Sequence, residues 1–245
     1  MTSTLRVRRA LAKPELLPSA VAQLLREQIV DGSLAPGGRL VEAALAEELE
    51  VSRGTIRDAL KDLEAEGLIE NRPRRGTYVV ELGPDDVREV YDLRAAIEMR
   101  AVRLIVGRSS SGTRPPELVQ TLERIQTAVK AGDARRAMDL DLAFHTELYR
   151  LSGNRRLLAV FLRLLPMIRL VLRSRHQLYP TLEDVPREHE PVLAAIASGS
   201  SEAAEAAINE HLAHARDLLI QHVSERGHAH GTTPAASPGG ARGER

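Results

Sequence analysis

The sequence predicts a mostly α-helical protein with two units: an N-terminal unit of three helices plus a small β-hairpin, and a larger all-α antiparallel helical bundle. Two observations support this fold class. Hydrophobic residues make up 43% of the 245 residues and aromatic residues only 2%, so the cores must be built from Leu, Val, Ile and Ala, which favours helices. Apolar residues also recur at helical spacing along most of the chain, and Gly and Pro separate these stretches.

The composition excludes several classes of function. The chain has no cysteine, which excludes disulfides, thiolate catalysis and zinc held by cysteine. No stretch approaches the length of a membrane span and no apolar signal segment follows the N-terminus, so we expect a cytoplasmic protein with no membrane partner. The 34 basic and 34 acidic residues balance, and therefore only the placement of basic residues can indicate a nucleic-acid partner.

The N-terminal unit is predicted to span residues 18–82 and to follow a flexible basic arm over residues 1–17. Ser52 is a suitable N-cap for the third helix, and Gly67 is a suitable C-cap. An arginine-rich loop that ends at Gly76 joins two short strands. The order helix, helix, short turn, helix, hairpin is that of a winged helix-turn-helix. The predicted elements are helices over 19–30, 42–49 and 53–66 and strands over 68–70 and 77–80.

Arginines on the third helix and in the hairpin loop are candidate DNA contacts. Arg53 and Arg57 are about one helical turn apart and lie opposite the apolar residues of the helix. In a helix-turn-helix this helix enters the major groove, where an arginine can bind a guanine through two hydrogen bonds. The hairpin loop can lie along a minor groove, where Gly76 permits close approach of the backbone. Without the surrounding pattern, the same arginines would indicate a solvated helix face and a charged hairpin.

Three segments of this unit carry a family signature. They read LAEELEVSRGTIRDAL at 45–60, LEAEGLI at 63–69 and RRGTYV at 74–79. In this order and at this spacing they closely resemble the DNA-binding domain of the GntR family, which implies DNA contacts by Arg53, Thr55, Arg57 and Gly76. Gly54 and Thr55 depart from the Thr-Pro or Thr-Thr pair that is common in the family, so the base preference there stays open. The full set of predicted DNA-binding residues is Ser52, Arg53, Thr55, Arg57, Arg74, Arg75 and Gly76.

The second unit is predicted to span residues 83–226 and to be helical throughout. Stretches containing Gly, Pro or Asn separate its helices. Residues 227–245 are rich in Gly, Pro, Ala and His, and we expect a disordered tail there. The helices are expected near 84–107, 115–131, 134–152, 154–178, 187–198 and 201–225.

Four polar residues face the predicted core of this bundle. Asp141 and His145 are spaced i, i+4 at the centre of an apolar face, His189 precedes the apolar residues of another helix, and His211 lies within the apolar stripe of the last helix. Imidazole and carboxylate groups without sulfur suit zinc, nickel or another divalent ion. The alternative is an Asp–His hydrogen bond in the core, with His189 and His211 satisfied by other core groups.

The sequence segments around these four residues also resemble those of a known family. The segments DLAFH at 141–145, Glu188-His189 and His211-Leu212 resemble the FCD effector domain of the FadR subfamily. The resemblance implies that Asp141, His145, His189 and His211 bind a divalent metal ion inside the bundle, zinc above all, and that the metal helps to hold a carboxylate effector. Pro191 is unusual for this family and is expected to shift the start of its helix.

These features together predict a ligand-responsive DNA-binding transcription regulator rather than an enzyme. We expect a homodimer that binds double-stranded operator DNA and a small organic acid effector. Arg94 is a candidate to pair with the effector carboxylate, and the alternative is a surface ion pair with Glu98 at i+4. Two alternatives for the whole protein are a metal-dependent hydrolase-like enzyme that uses the His/Asp site and a regulator whose metal is purely structural.

Overall fold

The computed structural model describes residues 17–108, 112–172 and 184–230. The predicted basic arm, up to residue 16, therefore lies outside the described residues, as do residues 231–245 of the predicted tail and residues 173–178 of one predicted helix. The fold class is confirmed: three helices and a small antiparallel sheet precede an all-helical unit. Among the described residues, none of the helices combines the length and the apolar composition that a membrane span requires.

The N-terminal unit is a winged helix-turn-helix. Its elements are α1 (Leu17–Asp31), β1 (Arg39–Leu40), α2 (Glu42–Glu48), α3 (Arg53–Ala65), β2 (Ile69–Arg72) and β3 (Gly76–Val79). The strand order is β1-β3-β2, and both pairs are antiparallel. The sequence did not predict β1, because a two-residue strand is too short to show an alternation of apolar and polar residues. The core of this unit includes the fully buried Val21, Leu25, Ile29, Ile56, Leu63, Leu68 and Val79.

The second unit has helices α4 (Pro84–Val106), α5 (Pro116–Lys130), α6 (Ala134–Leu151), α7 (Arg155–Leu172), α8 (Asp184–Ser198) and α9 (Ser201–His230). Their apolar faces meet in one core, and α4 and α9 pack along each other. Helix α8 begins at Asp184 rather than at residue 187. Pro186 is tolerated there because the first helical N–H groups have no partner within the helix. Helix α9 continues to His230, so residues 227–230 are helical and not part of a disordered tail.

Helix α7 belongs to both units. Phe161, near its start, is fully buried and stacks on Tyr149 of α6 with 4.5 Å between the ring centroids. Leu170, near its end, is 5% exposed and completes the core of the N-terminal unit. Pro166 lies between these two residues within the helix. A groove of about 850 Å³ lies between α1 on one side and α6 and α7 on the other. Because α7 also packs against α1 and adds Leu170 to the N-terminal core, it is a principal contact between the units.

Candidate functional site

The first turn of α3 is fixed by a serine cap. Ser52 has an extended backbone, and its Oγ accepts a hydrogen bond from the Thr55 backbone N–H at 3.1 Å, as predicted for an N-cap. The Thr55 Oγ1 lies 2.9 Å from the same Ser52 Oγ. Both hydroxyls therefore sit at the start of the helix, and Ser52 holds the helix end in place in addition to any contact that it makes with DNA.

The two arginines of α3 are exposed on the face opposite the core. Arg53 and Arg57 lie at the surface, while Ile56 is fully buried on the other side of the helix. The Arg57 Nη2 is 3.3 Å from the Glu42 Oε2, and the Arg57 side chain is still 60% exposed. An exposed ion pair of this kind contributes little to stability and is easily exchanged for another anion. The geometry thus leaves both guanidinium groups accessible to a nucleic acid.

The β2–β3 hairpin forms the wing. Arg74 occupies a left-handed backbone conformation with φ 63°, and Gly76 follows with φ 104°. The Tyr78 hydroxyl donates a hydrogen bond to the Arg75 carbonyl at 3.2 Å. The Arg72 guanidinium lies over the Tyr78 ring, 4.5 Å from its centroid. These contacts shape the tip so that Arg74 and Arg75 are both exposed.

Arg39 is a surface arginine of the wing that was not predicted from the sequence. It lies on β1 opposite Tyr78 of β3, and it is exposed. A Cβ placed on Gly76 would lie 3.2 Å from the Arg39 Nε, so the guanidinium packs directly against the backbone of the tip. Only the three-stranded sheet brings Arg39 to the wing, and the signal for β1 in the sequence is two residues long.

Three histidines from three helices meet in the core of the second unit. His145 of α6, His189 of α8 and His211 of α9 each place one ring nitrogen within 4.8 Å of the others. Their exposures are 1%, 0% and 7%. The structure therefore brings together three of the four residues that were predicted as metal ligands.

Two of these rings are oriented by hydrogen bonds on the side away from the cluster. The His145 Nδ1 lies 2.6 Å from the Glu98 Oε2, and the His189 Nδ1 lies 2.7 Å from the Val185 carbonyl oxygen. Because an ionised carboxylate and a carbonyl only accept hydrogen bonds, each Nδ1 carries the proton and donates it. The Nε2 of each ring then keeps its lone pair and faces the cluster, which is the arrangement found in metal-binding histidines.

Asp141 lies at the edge of this cluster. Its Oδ1 is 3.3 Å from the His189 Nε2, but the carboxylate is not part of the three-histidine set. With the proton of His189 on Nδ1, the two facing atoms are both acceptors, and either a cation between them or a second proton on His189 would make the contact favourable. The metal site and the core Asp–His pair considered from the sequence are both compatible with this contact.

The predicted pair between Arg94 and Glu98 forms, but it is not at the surface. The Arg94 Nε donates to the Glu98 Oε1 at 3.0 Å, and the two side chains are 2% and 0% exposed. The Arg94 Nη2 has no hydrogen-bond partner among the described residues. Glu98 was not predicted as a site residue, because i, i+4 spacing indicates a pair without indicating whether that pair is buried.

The electrostatics favour the neutral form of His145 and His211 and keep the buried Arg94–Glu98 pair charged. Burial lowers the pKa of His145, and burial together with the neighbouring His189 holds the pKa of His211 well below its usual value. Burial by itself would raise the pKa of Glu98, but His145 and Arg94 lower it overall. At neutral pH the site therefore offers the neutral imidazoles of His145 and His211 beside the ionised carboxylate of Glu98, and a metal ion binds imidazole in its neutral form.

A winged helix-turn-helix with exposed arginines on its second motif helix, joined to a helical unit with a buried polar centre, defines a helix-turn-helix transcription regulator. Comparison with family models agrees. Residues 17–79 match the model of bacterial regulatory proteins of the gntR family, and residues 89–214 match the FCD domain. The chain belongs to the GntR family of bacterial transcription regulators and carries an FCD effector domain.

Individual relatives are transcription regulators and not enzymes. The gluconate operon transcriptional repressor of Bacillus licheniformis is 32% identical over 181 residues, which are 72% of this chain and 74% of the relative. The transcriptional regulator LutR of Bacillus subtilis is 28% identical over 80% of this chain and 98% of its own length. The solved structure of McbR/YncC of E. coli has a TM-score of 0.65 at 24% identity, over 83% of this chain and 97% of that one, which shows a shared fold.

Proposed function

We propose that this regulator binds operator DNA through α3 and the wing, and that a divalent metal ion with a small carboxylate in the FCD domain controls this binding. The single observation that carries the metal proposal is the orientation of His145 and His189. In both rings Nδ1 donates a hydrogen bond to an acceptor outside the cluster, and Nε2 faces the other histidines of the cluster. A metal-ligating histidine almost always donates its other ring N–H to a carboxylate, a carbonyl or water, and both rings have such a partner here.

The donor set favours zinc, with nickel or a related divalent ion as the alternative. Three imidazoles and one nearby carboxylate, with no sulfur, suit these ions. His145, His189 and His211 would hold the ion, and Asp141 would complete the set from its position beside His189. When bound, the ion supplies a positive centre that can take an oxygen of an added ligand as a further donor.

The charge balance of the site favours a carboxylate as that ligand. With neutral histidines, the buried Arg94, Glu98 and Asp141 sum to one negative charge. A divalent ion turns this balance into one positive charge, and a buried excess charge is costly. A single carboxylate would neutralise it, and the Arg94 Nη2 is a donor able to bind an oxygen of that carboxylate. The relative named for the gluconate operon supports an organic acid, because gluconate is a carboxylate.

The test of the metal site is the metal content of protein purified without an affinity tag or chelator. We expect about one divalent ion per chain, and its loss in His189→Ala. His214→Ala is the matched control, because His214 lies on α9 close to His211 but is 57% exposed. Equal metal content in His189→Ala and wild type would contradict the site, and so would an absence of metal in both proteins after zinc or nickel is added.

The carboxylate is tested by its effect on DNA binding. Small organic acids would be screened against the metal-loaded protein by thermal shift, and those that bind would be added to a complex with operator DNA selected from a random library. A change in DNA affinity supports sensing, because an effector must bind two states with different affinities. Carboxylates that bind without changing DNA affinity, or none that bind at all, would favour the alternative of a purely structural metal. Turnover of a bound acid would favour the hydrolase-like enzyme.

The proposed assembly is a homodimer. Two copies of a helix-turn-helix unit bind half-sites about one turn of DNA apart, or a multiple of it, so the selected operator should be palindromic. Light scattering after size exclusion should give twice the chain mass of 26.9 kDa. A mass of one chain together with a single, non-palindromic selected site would contradict this assembly.

A further inference from the structure

The geometry points to Glu98 as the positioning residue of the inner site, which sets the ring of His145 for metal binding. This inference rests on the metal site proposed above and extends it to a residue outside the four ligands. Glu98 lies on α4, whereas the four ligands lie on α6, α8 and α9. It would touch neither the metal nor the effector and would act through His145.

The two oxygens of Glu98 have separate tasks. The Oε2 is 2.6 Å from the His145 Nδ1, and the Oε1 accepts the Arg94 Nε–H at 3.0 Å. The second contact fixes the rotation of the carboxylate and keeps it ionised, so the first oxygen can only accept. All three side chains are at most 2% exposed, so water does not compete for these hydrogen bonds.

This arrangement determines which ring nitrogen of His145 is available. A neutral imidazole in water prefers its proton on the Nε2, and in that form the nitrogen that faces the cluster could not bind a metal. The ionised Glu98 reverses the preference because it accepts a hydrogen bond from Nδ1 in a dry environment. The hydrogen bond to Glu98 therefore offsets the free energy of placing the proton on Nδ1 already in the metal-free protein.

His211 provides an internal contrast. Its Nδ1 has no hydrogen-bond partner among the described residues, and its Nε2 lies 3.3 Å from the Nε2 of His145. Because the His145 Nε2 is an acceptor, the His211 Nε2 carries the proton and donates it in the metal-free protein. Two ligands, His145 and His189, are therefore set in advance, while His211 must give up its Nε2 proton when the ion binds.

A simpler role for Glu98 is only to neutralise the buried Arg94. The two roles predict different behaviour of His145 when Arg94 and Glu98 are replaced together. If Glu98 is only a counter-ion, the tautomer of His145 stays as it is in the wild type, and if Glu98 positions the ring, the tautomer changes. The double variant Arg94→Met/Glu98→Leu removes both charges, and replacing a buried ion pair with apolar groups is often tolerated, whereas removing one partner leaves an unpaired buried charge. The matched control is Arg103→Gln/Glu205→Gln, which removes an exposed pair between α4 and α9.

The experiment is a long-range ¹H–¹⁵N correlation spectrum of metal-free, ¹⁵N-histidine-labelled protein, with zinc affinity measured by chelator competition. In the wild type and in the control we expect the proton of His145 on Nδ1. In the Arg94→Met/Glu98→Leu variant we expect it on Nε2, with His189 unchanged and zinc affinity reduced about 10- to 100-fold.

Two results would overturn the inference. One is a wild-type His145 with its proton on Nε2, which requires no variant to fold. The other is a double variant in which the tautomer of His145 and the zinc affinity are those of the wild type. Failure of the proposed function is distinguishable: wild-type protein that binds no zinc would contradict the metal site, while the metal-free spectra would still decide whether Glu98 sets the ring of His145.

Discussion

Met167 of α7 packs against Gly67, the residue that ends the turn after α3. A Cβ on Gly67 would lie only 2.8 Å from the Met167 Cε. Gly67 also has a positive φ of 72°, a backbone conformation that residues other than glycine adopt only at a cost in free energy. Gly67 thus lies just beyond the C-terminal end of α3 and also contacts a side chain of the FCD domain.

Gly67→Ala is expected to destabilise the protein through both properties. The left-handed conformation alone costs on the order of 1 kcal/mol or more, and displacement of Met167 adds to it. Gly132→Ala is the matched control, because Gly132 has φ 68° but no atom within 4 Å of the added Cβ. Thermal unfolding of both variants separates the two effects. If Gly132→Ala proved as costly as Gly67→Ala, the contact with Met167 would have no energetic weight.

Arg53→Ala and Arg57→Ala are expected to weaken specific DNA binding. A guanidinium that binds a base edge through two hydrogen bonds contributes about 1–3 kcal/mol of discrimination. The measurement is the affinity for a selected operator and for unrelated DNA at one fixed salt concentration. Lys61→Ala serves as the control, because Lys61 is exposed two turns further along α3 and pairs with Asp58. Specific binding that survives in both arginine variants would show that another surface reads the operator.

Arg39→Ala is expected to weaken binding to all DNA sequences to a similar degree. Arg39 lies beside the wing backbone rather than on α3, so a phosphate is its expected partner. Losing one phosphate contact should reduce the slope of log affinity against log salt by about one. Arg124→Ala, on the exposed face of α5, is the control. A salt slope equal to that of the wild type would exclude Arg39 from the interface.

The pair between Arg103 of α4 and Glu205 of α9 should give the stability a pH-dependent component. Hydrogen bonding to Arg103 lowers the pKa of Glu205. A lowered pKa in the folded state means that the contribution is complete above the ordinary pKa of a glutamate and is lost as the pH falls through the folded value. Glu205→Gln should therefore be slightly less stable than the wild type at pH 7 and equal to it at low pH. Since the pair is exposed, salt should shrink the difference, and an equal loss at both pH values would refute this origin.

The sequence predicted most of this architecture because helices with one buried face leave a periodic signal. The N-cap at Ser52 was predictable for a similar reason, since capping is a local property of the chain. The inner histidines were predicted because His145 and His211 lie within apolar stripes and His189 precedes the apolar residues of its helix. Glu98 was not found, since its place in α4 fits a surface ion pair as well as a buried one. Arg39 was missed because β1 exists only through its pairing with β3.

The sequence also could not assign Leu170 to a unit. The apolar stripe of α7 continues to the end of the helix, so the sequence pattern indicates that its last turn packs in the helical bundle like the rest of the helix. Which core buries a given turn depends on how the two units meet, and this is a property of the tertiary structure. The same holds for Met167, whose neighbour Gly67 is 100 positions earlier in the chain.

The place of Leu170 in the N-terminal core has a consequence for modularity. A DNA-binding segment cut after residue 82 would lack one of its own core side chains, and an apolar gap would open where α7 now lies. Chimeras that join this segment to the effector domain of another protein should therefore have a lower melting temperature, unless that domain places a leucine-sized side chain at the same position. Recombination between such regulators is then constrained at this seam, and the natural unit of exchange is the DNA-binding segment together with the end of α7.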